Sequence, residues 1–134
     1  MDGGTLTPFA LFIEAGGPAC RVKVQLRWGD GLYEGVADGP DGPGQRLRLA
    51  AAAALKAVAE FSGGAVPLEL EDVGHAAAGP HGVVVATLLV RGPHGDQRFV
   101  GSAVVRRDPL EAAVQAVLDA LGPWPGRGPP AAAS

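Results

Sequence analysis

The chain has one cysteine, Cys20, which excludes an intramolecular disulfide and any cysteine-clustered metal site. Aromatic residues are also scarce, at 5% of 134 residues. A core must therefore come from interlocked aliphatic faces, with Trp28, Phe61 and Phe99 as the few large fillers. Positive charge is not in excess: 11 Lys and Arg against 14 Asp and Glu leave a net charge of −3. That balance argues against a nucleic-acid partner, because phosphate binding rests on a basic surface. No apolar run approaches the ~18 residues needed to cross a bilayer. The start, Met1-Asp2-Gly3-Gly4, lacks the basic and apolar stretches of a signal peptide. A cytoplasmic setting without membrane contact is expected.

Catalytic constellations are missing as well. His75, His81 and His94 fall in or beside glycine-rich turns, and no two are spaced for one helix face. Ser62, Ser102 and Ser134 have no nucleophile-elbow context. Glu69, Glu71, Asp72 and His75 could suggest a metal site, but Glu69 and Glu71 alternate with Leu68 and Leu70 as the wet face of a strand does. The glycine-rich stretch 39–44 precedes a helix, yet it carries Asp41 and lacks the Lys-Ser/Thr ending of a phosphate loop. No active site, metal or cofactor is expected.

What is present is periodicity, punctuated by 21 glycines and 12 prolines. Residues 6–14 read as a strand with a proline near its entry. Over 21–28, Val22, Val24, Leu26 and Trp28 alternate with Arg21, Lys23, Gln25 and Arg27, the period of a strand with one buried and one wet face. The basic row reads as a solvated face that discourages edge pairing. Gly29-Asp30-Gly31 turns the chain into a return strand over 32–37, and residues 38–44 read as a loop. Leu47, Ala51, Leu55 and Val58 then recur at helical spacing, so a helix is predicted over 45–62, ended by Gly63-Gly64.

The second half repeats this order. Strands are predicted over 66–73, 83–90 and 97–105, with a break over 74–82. In the middle one both faces are apolar, Val83, Val85, Thr87 and Leu89 opposite Val84, Ala86, Leu88 and Val90. One face can be covered by helices; the other needs the second repeat or another chain, so a homodimer is expected. Asp108-Pro109-Leu110-Glu111 reads as a capped helix start, with Glu111 reaching back, and Leu110, Val114, Val117, Leu118 and Leu121 form its buried stripe. Tyr33-Glu34-Gly35-Val36-Ala37 matches Phe99-Val100-Gly101-Ser102-Ala103, and residues 54–58 match 113–117. The fold class is therefore α/β (α+β): two repeated βββα units, their sheets packed with two alanine-rich helices. Residues 1–5 form an N-terminal arm, 6–121 the domain, and 122–134 a disordered Pro/Gly/Ala tail.

This pattern resembles the C-terminal regulatory domain of 2-isopropylmalate synthase, itself a βββα unit repeated twice. In that family the first return strand runs into Gly-x-Gly-x-Gly-Pro before its helix. Here Gly35-Val36-Ala37-Asp38-Gly39-Pro40 is similar, with Ala37 in place of the middle glycine and Asp41-Gly42-Pro43-Gly44 added before the helix. The family's alanine-rich closing helix often ends in Asn-Arg; this chain has Gly122-Pro123. The family's catalytic barrel is not in this sequence, so the resemblance implies no condensation of acetyl-CoA with a keto acid. It implies a stand-alone, allosteric-type regulatory module that senses a small molecule such as a branched-chain amino acid. Its site would lie at the two strand-to-helix connections, at Gly35, Val36, Gly39, Pro40, Gly101 and Ser102. The alternative is a structural or protein-interaction domain without a ligand.

Overall fold

Burial alternates along the middle strand of each half, one face of each sheet turned to the helices. The computed structural model describes residues 6–63 and 68–122. In unit 1, β1 (Thr7–Gly16), β2 (Ala19–Trp28) and β3 (Gly31–Pro40) form an antiparallel sheet, followed by α1 (Pro43–Ser62). In unit 2, β4 (Leu68–Ala78), β5 (His81–Gly92) and β6 (Gly95–Val104) form a second, followed by α2 (Pro109–Leu121). Val22, Val24 and Leu26 of β2 and Val84, Ala86 and Leu88 of β5 are fully buried. The fold is α+β, a twice-repeated βββα arrangement, as the sequence implies.

The repeat holds residue by residue. Each first hairpin turns on Gly-Pro, Gly17-Pro18 and Gly79-Pro80, where the glycines take φ of +61° and +63°, a region side chains with a Cβ avoid. Each first strand carries a bulge, at Phe9 and at Glu71. The second hairpin is longer in unit 2. The pair Trp28 and Gly31 closes it in unit 1, whereas the equivalent Val90 and Gln97 are followed by Arg91–Asp96 and Gly92–Gly95.

Both helices form one inner layer. Each packs on the second and third strands of its own sheet, on the other helix, and on the first strand of the other unit. This explains why burial extends well beyond a single stripe. Ala50, Ala51, Ala53, Ala54 and Ala57 of α1 are all fully buried beside Leu47, Leu55 and Val58. Gly35 and Gly101 fix how close the helices come. A Cβ on Gly35 would overlap the Ala53 carbonyl and crowd the Ala57 nitrogen; one on Gly101 would overlap the Ala116 carbonyl and the Ala120 nitrogen. Carboxylates from the helices also seal the outer edges. Glu60 accepts the Glu34 N–H at 2.6 Å and Asp119 accepts the Ser102 N–H at 2.9 Å, which removes two donors from edges that could template pairing.

Several expectations are corrected. The loop over 38–44 is almost wholly structured: β3 runs to Pro40 because Ala19 and Cys20 extend the pairing, and α1 starts at Pro43. The break over 74–82 shrinks to one turn, since Gly74 to Ala78 are small and continue the ladder opposite Val85 to His81. The helix match is displaced by one turn. The residues over Gly35 and Gly101 pair Ala53 and Ala57 with Ala116 and Ala120, so 54–58 does not correspond to 113–117. Phe99 is 38% exposed rather than a core filler, whereas Trp28 and Phe61 do pack together at a ring separation of 4.9 Å. The residue 66 end of the predicted strand, the arm 1–5 and the tail 123–134 lie outside the described residues.

Gly35→Ala and Gly101→Ala should each destabilise the fold by about 3 kcal/mol, the upper end of overpacking costs, because the obstructing atoms are helix backbone and cannot rotate away. Thermal denaturation of each variant beside Gly74→Ala, where a Cβ meets nothing within 4 Å, checks this.

Candidate functional site

The two helices begin close together, and a cleft of about 510 Å³ opens between their first turns. It is lined by Gly44, Arg46 and Leu47 of α1, by Asp108, Pro109 and Leu110 at the start of α2, and by Ile13 and His75 from the first strands. Ile13 pairs with Val22 and His75 with Val84, so the two occupy the same place in their units and face the helices. The cleft is therefore lined by equivalent positions of both units, Ile13 with His75 and Leu47 with Leu110. Leu47 and Leu110 form buried aliphatic wall, while Ile13 is 38% exposed and reachable.

The two helix starts differ chemically. At α2, Asp108 is the N-cap: its Oδ1 accepts the Leu110 N–H at 3.0 Å, and Pro109 fills the first helical position. Glu111 does not reach back as expected; its carboxylate pairs instead with Arg107 at 3.3 Å. At α1, Gly42 holds the N-cap position, no side chain caps the helix, and no acidic residue lies in the first turn. The N–H groups of that turn lack intrahelical partners, as at any helix start. Asp41 is turned elsewhere. It accepts from Arg46 Nε at 2.6 Å and Nη2 at 2.9 Å, and from the Gly42 N–H at 2.8 Å. Its own N–H bonds the Pro18 carbonyl at 2.9 Å, tying the junction to the first hairpin.

This fork has electrostatic consequences. The hydrogen bond from the Arg46 guanidinium, with help from the Gly42 N–H, holds the Asp41 carboxyl below the usual carboxylate range, against an opposing effect of burial. Arg46 is correspondingly held protonated by Asp41. Both are thereby committed to each other. His75 is different: among the described residues it makes no hydrogen bond or ion pair. The absence of a side chain at Gly82 gives it room, since a Cβ there would stand 2.7 Å from His75 Nε2.

The sequence-predicted residues are distributed over both units. Gly35 and Gly101 face inward and are filled by α1 and α2. Val36 and Ser102 point outward, opposite Lys23 and Val85. Gly39 lies under Leu49, and Pro40 is exposed at the strand end. Ser102 also lines a shallow cavity of about 450 Å³ with Val104, Arg106, Arg107 and Asp108. None of the six predicted residues lines the cleft between the helix starts, whose walls include Ile13, Arg46 and His75. The basic row is internally engaged: Arg21 pairs with Asp38 at 2.8 Å, Lys23 with Glu34 at 3.6 Å, and Lys23 and Arg27 lie over Phe12 and Phe9. Among the described residues no group of three or more His, Cys, Asp or Glu could hold a metal, and no helix is long and apolar enough to cross a membrane. No protein-family model matches the chain, and no curated protein is similar enough to count as a relative.

The Asp41–Arg46 fork sets a pH dependence. A carboxylate whose folded-state pKa lies below its unfolded value adds stability above the unfolded pKa and loses it as pH falls through the folded one. Asp41→Asn should therefore be less stable than wild type near neutrality, and the gap should close below about pH 4. Thermal midpoints of both proteins across that range check the sign. A second variant, Asp108→Ala, should cost about 1 kcal/mol by removing the N-cap of α2.

Proposed function

We propose that the chain is a non-catalytic regulatory domain that senses a small carboxylate-bearing molecule and works as a homodimer in a cytoplasmic setting. The observation that carries the effector reading is the uncapped start of α1 at a cleft with aliphatic walls. On α2 the Asp108 carboxylate satisfies a free N–H; a ligand carboxylate would do the same for α1. Ile13, Leu47 and Leu110 would then hold a branched aliphatic side chain, and the second oxygen of Asp108 or the ring of His75 is within the same cleft for a polar group. A branched-chain amino acid has this combination of groups. The resemblance to the 2-isopropylmalate synthase regulatory domain supports the same class of effector.

A structural or protein-interaction domain without a ligand is the second reading. It is favoured by the exposed valines Val100 and Val104 on the second sheet.

Calorimetry with leucine, isoleucine and valine tests the effector reading. Heat is expected with at least one of them, accompanied by a raised melting temperature. Ile13→Trp, which fills the cleft from a half-exposed position, should abolish both signals while the protein stays folded. No heat and no thermal shift at millimolar ligand would discard the sensor and leave the interaction domain.

A further inference from the structure

We draw no further inference here: the strongest candidate, the outer face of the first sheet where exposed Phe9, Phe12 and Leu32 lie among Lys23 and Arg27, has its cations already seated over its own rings, and nothing in the structure shows what covers it.

Discussion

The close approach of helix to strand at Gly35 and Gly101 is the contact on which the remaining packing depends. A helix whose backbone touches a strand can present only small residues on that side, and Ala53, Ala57, Ala116 and Ala120 do so. A helix lined with alanine is thin, and a thin helix can be surrounded. α1 uses this to contact its own sheet, α2 and β4 at once. The scarcity of aromatics follows from the same geometry, because a layer of close-set helices leaves little volume for rings. Trp28 and Phe61, partly buried, collect with Tyr33 around the end of α1, where the helix leaves the crowded zone.

Sharing an inner layer also frees the outer faces. All helix-facing positions of β2 and β5 must be apolar and compact, and they match pairwise: Val22 with Val84, Val24 with Ala86, Leu26 with Leu88. No such constraint acts on the outward positions, and there the units differ. Arg21, Lys23 and Asp38 stand where Val83, Val85 and Val104 stand in unit 2. Phe12 and Leu32 are exposed in unit 1, while Glu69 and Arg98 lie outward in unit 2. Duplication thus supplies the control that a single-copy fold lacks. A surface property that differs between equivalent positions cannot be attributed to the demands of folding.

Much of this architecture was legible because two periods dominate the sequence. Val22 to Trp28 alternates cleanly, and the spacing of Leu47, Ala51, Leu55 and Val58 is helical, so element type was unambiguous. Boundaries were misplaced where glycine and proline serve as strand residues. Gly74 to Ala78 and Asp38 to Pro40 look like loop by composition, yet they pair because a neighbouring strand is long enough to hold them. Alanine runs align with themselves at several offsets, so sequence leaves the helix register open by a turn, and contact with Gly35 and Gly101 breaks the tie. The cleft was half visible. Asp108 and Pro109 announce a capped helix start, but that Ile13 and His75 are equivalent emerges only when Gly17-Pro18 is aligned with Gly79-Pro80. Nothing in a linear reading places residues 13, 47, 75 and 110 around one space.

The cleft is also lined by equivalent positions that differ in chemistry between the units. A strictly twofold cleft would offer both ends of a ligand the same surroundings, which suits a symmetric molecule and discriminates poorly between an acid end and an amine or alkyl end. Here two pairs of equivalents are unequal. Ile13 faces His75, so one strand contributes alkyl surface and the other an imidazole with no partner among the described residues. Gly42 faces Asp108 in the N-cap role, so one helix start leaves its N–H groups unanswered and the other brings its own carboxylate. The start of α1 thus has no side-chain cap, whereas at α2 Asp108 already accepts the Leu110 N–H. Under the effector reading proposed above, a small molecule with one anionic end and one apolar end would meet complementary surroundings in a single orientation, through differences that two identical repeats could not provide.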